Sequence, residues 1–243
     1  MSVSSFPIPY AIAVAVLASL ISACTNSTSP GAPTDVSFDF AAGPQEWTAG
    51  FADYRPGEEA FMELDSGYRA IPAPLGPGRS AHFLSGNNHT DDLFMFVKRR
   101  LTGFRPDTRY RASFTVEIAT DVPADCGGVG GSPGQSVYLK AGASGIEPLA
   151  VVDGLGMLRL NVDQGSQANP GAAALVLGTI EGTLPCASGQ RVWELKSLTS
   201  GSGTVTARAD GQGRLWVFTG TDSAFESTTS IYITRVSARF DPV

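Results

Sequence analysis

Between Arg109 and Thr120 the chain alternates strictly. Tyr110, Ala112, Phe114, Val116 and Ile118 are apolar, and Arg111, Ser113, Thr115 and Glu117 between them are polar. A period of two belongs to a strand with one covered and one wet face. Val36, Phe38 and Phe40, separated by Ser37 and Asp39, repeat it. The same reading predicts strands over 46–54, 59–65, 79–85 and 92–101, then over 136–143, 157–162, 174–181, 192–198, 203–209, 214–219 and 231–240. Pro56-Gly57, Ser66-Gly67, the 72–78 loop, Asn87-Asn88 and Asp210-Gly211 punctuate them as turns. In the last strand the apolar parity moves from Ile231 and Ile233 to Val236, Ala238 and Phe240, which predicts a β-bulge at Thr234-Arg235.

No stretch sustains a helical period, and no change of composition divides the chain after Thr34. The expected architecture is all-β: a single antiparallel β-sandwich over 35–243 with long loops. Composition agrees with it. The chain has 28 glycines in 243 residues, above the usual share of about 7%, and they cluster between strands. The formal charge of −6 and the absence of a basic run remove any electrostatic reason to approach nucleic acid.

The N-terminus departs from this pattern. Tyr10 to Ile21 is an apolar run too short to cross a bilayer and of the length of a signal-peptide core. It ends in Ile21-Ser22-Ala23-Cys24, which resembles the lipobox of bacterial lipoproteins. That resemblance implies cleavage before Cys24, acylation of its thiol, and a protein anchored to a membrane rather than spanning it. Residues 1–23 hold no Lys or Arg, where a signal peptide has a positive start. Thr25, rather than Asp, after the cysteine implies sorting to the outer membrane if the envelope is Gram-negative. Residues 25–34 (TNSTSPGAPT) have no large apolar side chain and form a tether of roughly 17 Å root-mean-square length.

Acylation of Cys24 leaves Cys126 and Cys186 as an even pair in an oxidising compartment, where a disulfide is expected; free thiols or metal ligands are the alternative, and no C-x-x-C spacing or clustered His supports a metal site. Leu101-Thr102-Gly103-Phe104-Arg105-Pro106-Asp107-Thr108-Arg109-Tyr110 resembles the strand entry of fibronectin type III domains and jelly-roll carbohydrate-binding modules. Ser230 to Ser237 is similar to the closing strand of such jelly rolls, with Thr234-Arg235 where those modules carry acids. The resemblance implies a jelly-roll-like sandwich. Its functional implication is non-enzymatic binding at the cell surface, with carbohydrate as a candidate ligand. A structural or assembly part of the envelope and a polysaccharide-acting jelly-roll hydrolase or lyase are the rivals.

Candidate chemistry is sparse. Gly130-Gly131-Ser132-Pro133-Gly134 matches the G-x-S-x-G nucleophile elbow. The residue after the serine must offer its N–H to the oxyanion, however, and proline has none. His82 in a strand and His89 in a loop are the two histidines. Asp91 and Asp92, in the oxygen-rich loop Asn87 to Asp92, are the candidates for a structural Ca²⁺, without the spacing of a known loop motif. For a ligand the aromatics are better placed: Trp216 and Phe218 alternate with Leu215 and Val217, and Trp193 and Trp47 complete the set. If Leu215 and Val217 face the core, Trp216 and Phe218 share the other face and could stack on sugar rings; the opposite orientation buries them.

Overall fold

The computed structural model describes residues 1–2, 31–76 and 78–243. The lipobox with Cys24 and most of the tether lie outside the described residues. In chain order the strands are β1 (Thr34–Asp39), β2 (Thr48–Ala52), β3 (Asp65–Ala70), β4 (Ser80–Asn87), β5 (Leu93–Leu101) and β6 (Arg109–Thr120). There follow β7 (Val137–Ser144), β8 (Ala150–Val152), β9 (Leu158–Leu160), β10 (Gly165–Ser166), β11 (Asn169–Pro170) and β12 (Ala174–Thr179). The last four are β13 (Glu194–Thr199), β14 (Val205–Arg208), β15 (Leu215–Ser223) and β16 (Thr228–Pro242).

Two antiparallel sheets face each other. The five-stranded one runs β12-β7-β15-β5-β2, and the seven-stranded one runs β13-β6-β16-β4-β3. Two long strands organise the larger sheet. β16 pairs β6 on one side, and on the other it pairs β4 with its first half and β1 with its second. β6 is in turn shared by β13 and β14. The register slips between Ile233 and Arg235, where the parity change predicts it, and the freed Thr234 hydroxyl donates to the Glu117 carbonyl at 3.0 Å. That bulge keeps Ile231, Ile233, Val236, Ala238 and Phe240 all in the core.

The alternation of β6 resolves as expected: its apolar members are buried between the sheets. Its entry is fastened by Tyr110, whose hydroxyl accepts from the Arg105 N–H at 3.0 Å. Phe104 packs edge-on against both Tyr110 and Phe240. This is the tyrosine-corner arrangement that ties a sandwich strand to the loop before it. Cys126 and Cys186 form a disulfide with Cα atoms 5.1 Å apart, joining the glycine-rich loop after β6 to the loop between β12 and β13.

Two expectations need correction. Residues 59–65 are turns, not a strand. The Met62 N–H donates to the Glu58 carbonyl at 2.8 Å and the Leu64 N–H to the Glu59 carbonyl at 3.2 Å. Met62 is buried and Phe61 exposed, a split that a one-turn helix produces as readily as a strand. Ser66-Gly67 is not a break but part of β3.

Candidate functional site

The outer face of the five-stranded sheet departs from the wet-face pattern. Outward positions of β5 carry Phe94, Phe96, Lys98 and Arg100, and those of β15 carry Trp216, Phe218 and Asp222. Their inward neighbours Leu93, Met95, Val97, Leu215 and Val217 belong to the main core. The excursion of residues 145–173, between β7 and β12, folds over one end of this outer face. Its Leu160 and Val162 pack on Phe94, Phe96 and Phe218 as a second apolar cluster. Glycine makes the rings fit. A Cβ on Gly50 would stand 2.5 Å from the Phe96 ring and one on Gly142 2.5 Å from the Phe218 ring.

Beside these rings the excursion closes over a buried ionic cluster. Lys140 is fully buried, and its Nζ donates to Asp222 Oδ2 at 2.7 Å and to the carbonyls of Gln164 and Asn169 at 3.0 and 3.1 Å. Its three protons are thereby satisfied. Arg159 Nη1 donates to Asp53 Oδ1 at 2.8 Å and to Asp92 Oδ2 at 2.9 Å, and Gln164 Nε2 reaches Asp53 Oδ2 at 3.2 Å. The Gln167 N–H donates to Asp222 Oδ2 at 2.9 Å. Two oxygens are left over, Asp92 Oδ1 and Asp222 Oδ1, both buried without a partner.

Three carboxylates against two cations leave one negative charge in excess, and a proton held on Asp92, hydrogen-bonded towards Asp222, cancels it. Burial, with the charges of Asp53 and Asp222 beside it, pushes Asp92 up to about 7. Burial likewise raises Asp53 to about 6 against the pull of Arg159.

The other end of the outer face opens into a cleft of about 700 Å³ that also takes in Val36 of β1 and the inward-side Arg99 and Leu101 of β5. Trp216 and Arg100 stand on it as cross-strand neighbours. One wall is Glu147, held from beneath by the buried Lys98, whose Nζ is 2.7 Å from its Oε1 and 5.6 Å from the Trp216 ring centre. The opposite wall is Arg99 and Glu46, with Nη2 and Oε2 3.0 Å apart. Arg99 also donates to the Gln45 carbonyl and lies over the Phe38 ring. A shallower trough of about 330 Å³ crosses the outer face of the larger sheet, floored by a hydroxyl row that includes Ser37, Ser237, Thr115 and Thr199.

Of the four aromatics singled out by sequence, the structure places one on the cleft. Trp216 is partly exposed there. Phe218, 1% exposed, shares its face but is roofed by the excursion, so it offers no ring to a ligand. Trp47 is also withdrawn, 5% exposed and packed edge-on between Phe38 and Phe40. Trp193 sits beside the larger sheet against Tyr232. The sequence reading passed over Arg100, Lys98, Glu46 and Glu147, because an ion pair across strands leaves no spacing rule. The signal for the roof was present: Leu93 to Val97 is apolar at every position, the mark of a strand covered on both faces.

The remaining candidates fall elsewhere. Ser132 Oγ accepts from the N–H groups of Gly134 and Gln135 at 3.3 and 3.2 Å, the work of a turn-capping hydroxyl. His82 is buried against Phe40, its Nε2 3.0 Å from the Pro44 carbonyl, and burial lowers its pKa. His89 stacks on Phe61. Asp91 is exposed. Asp92 Oδ2, engaged by Arg159, is turned to a cation that the chain supplies itself. Among the described residues no group of three or more His, Cys, Asp or Glu side chains is placed to hold a metal ion.

No family model matches the chain, and no curated protein sequence matches it. Solved structures similar to it include the CBM22-1 xylan-binding domain of a Paenibacillus barcinonensis protein, at 13% identity and a TM-score of 0.38, covering 86% of this chain and 94% of that one. A family 11 carbohydrate-binding module of a Clostridium thermocellum cellulosomal cellulase matches at 11% identity and 0.37, covering 88% and 97%. The K3 cleaved adhesin domain of Lys-gingipain from Porphyromonas gingivalis matches at 12% identity and 0.36, covering 86% and 99%. What the cleft of this chain can hold follows from its own side chains.

Proposed function

We propose that the protein is an exported, lipid-anchored binding protein, and that its sandwich holds a glycan in the cleft beside Trp216. The observation that carries this reading is Trp216 itself, a tryptophan left partly exposed in a cleft on a sheet face whose other aromatic rings are buried. Sugar rings present C–H groups to an indole face and hydroxyls to its surroundings. Glu46, Glu147, Arg100 and Thr48 supply acceptors and donors around that face. The volume lies within the range of about 300–1,000 Å³ usual for small-ligand sites.

A glycan array probed with the purified domain tests it. The native protein binds a defined glycan class, and Trp216→Ala weakens that binding by roughly tenfold or more. A blank array, or undiminished binding by the variant, would sink the reading. The anchor is tested separately, by labelling cells with a fatty-acid analogue: native protein takes up label and Cys24→Ala does not. Equal labelling removes the anchor.

A second reading, as an assembly part of the envelope, has its own observation. The β8–β9 hairpin exposes Val151, Val152 and Leu155, the last almost entirely, and exposed apolar clusters mark contact surfaces. On that reading Val152→Ser with Leu155→Ser changes the sedimentation of the envelope complex. On the first it changes nothing.

A further inference from the structure

We infer that the glycan held in this cleft is an acidic one, carrying a carboxylate on a sugar ring, and that Arg100 receives that group while Trp216 stacks on the ring. The inference rests on the glycan reading above and narrows its ligand class. Three cations and two carboxylates line or flank the cleft. Lys98 is satisfied by Glu147 and by the Pro148 carbonyl at 2.8 Å. Arg99 is neutralised by Glu46 and donates to the Gln45 carbonyl, lying over Phe38, with its Nε buried and without a partner. Arg100 is exposed, and it has neither ion pair nor hydrogen bond among the described residues. The excess positive charge of the cleft is therefore one, and it sits on Arg100.

Its position is set by the sheet. Arg100 and Trp216 are register partners on β5 and β15, side chains on the same outer face, which places their Cβ atoms about 4.5–5.5 Å apart. A ring stacked on the indole would bring an equatorial carboxylate within the span of the guanidinium fork, whose geometry matches a carboxylate in two parallel hydrogen bonds. At a physiological Debye length of about 8 Å the cleft's own charges decide.

Calorimetry with matched oligosaccharides tests it. The probes are a trigalacturonate, its methyl ester, and a sulfated neutral trisaccharide, titrated into native protein, Arg100→Gln and Trp216→Ala. Native protein is expected to bind the acid about tenfold or more tighter than the ester, with the preference shrinking as salt is raised. In Arg100→Gln the preference disappears while binding of the ester persists; in Trp216→Ala both ligands are weakened alike, by roughly tenfold or more. Equal affinity for acid and ester overturns the acidic ligand and leaves the glycan reading standing. An equal preference for the sulfated probe overturns the commitment to a carboxylate. Arg100 is an exposed strand residue, so an unchanged melting temperature certifies that the Gln variant is folded.

Discussion

The Asp92 carboxyl makes the stability of the protein fall as pH rises through neutrality. Asp92, ordinarily near 3.8, is held up to about 7. The folded chain thus keeps a proton that the unfolded chain releases above about pH 4. A group with a raised folded pKa contributes in full below its unfolded value and loses that contribution as pH climbs through the folded one. The window is therefore about pH 4 to 7, with nothing left above it. Each unit is about 1.4 kcal/mol, and with 23% of the Asp92 side chain exposed the screened contribution is on the order of 3 kcal/mol. Asp53, raised to about 6 by the same burial, works in the same direction.

His82 opposes them. Its lowered pKa adds stability as pH rises towards the ordinary histidine value. The clean measurement is consequently a difference. In Asp92→Asn the amide Nδ2 donates to Asp222 Oδ1 and the amide oxygen faces Arg159, which fixes the protonated pattern at every pH. Urea unfolding at pH 5 and pH 8 gives the change in stability of each form. The native protein loses about 2 kcal/mol more than the variant over that interval, two of the three units of the window, or about 4–8 °C in melting temperature for a domain of this size. Equal losses in the two proteins, or a native protein more stable at pH 8 than the variant, would refute a proton held on Asp92.

Two further predictions concern how the sheets are held. Cys126→Ser with Cys186→Ser, or reduction of the native disulfide, frees a loop of 60 residues and lowers stability by about 2–4 kcal/mol; equilibrium denaturation with and without reductant gives both numbers. Gly142→Ala drives a methyl into the Ala173 carbonyl oxygen and the Phe218 ring and costs about 1–3 kcal/mol, read as a lower melting temperature. Wild-type stability in that variant would show that both the backbone at Ala173 and the ring have room to move.

What could be read from the chain depended on which face a residue serves. The inward positions of β6 and the bulge at Thr234 were legible, because each is written in a local period that only one pleated arrangement satisfies. Leu101 to Tyr110 was legible for the same reason: its turn and its tyrosine act within ten residues. Lys140, Asp53, Asp92, Asp222 and Arg159 come from five separate segments, and a buried ion cluster of that kind has no spacing in sequence. Trp216 and Phe218 show the limit most directly. They are two residues apart on one face, and only the path of the distant 145–173 excursion makes one a cleft residue and the other core.

The same excursion separates the two kinds of carboxyl that hydrolysis would need together. A general acid must hold a proton near neutral pH, and a glycosidase sets it within about 5–10 Å of its partner carboxylate across the sugar. The carboxyls raised towards neutrality here are Asp92 and Asp53, at the roofed end of β5. Glu46 and Glu147 stand at the cleft, each joined to a cation rather than set in an apolar pocket. From Asp92 to Arg100 is eight residues of extended chain, about 26 Å at the rise of a strand. A sugar on Trp216 is that far from the protonated pair. The carboxylates within its reach, Glu46 and Glu147, are each paired with a cation, and this separation is what supports the proposal of a binding cleft.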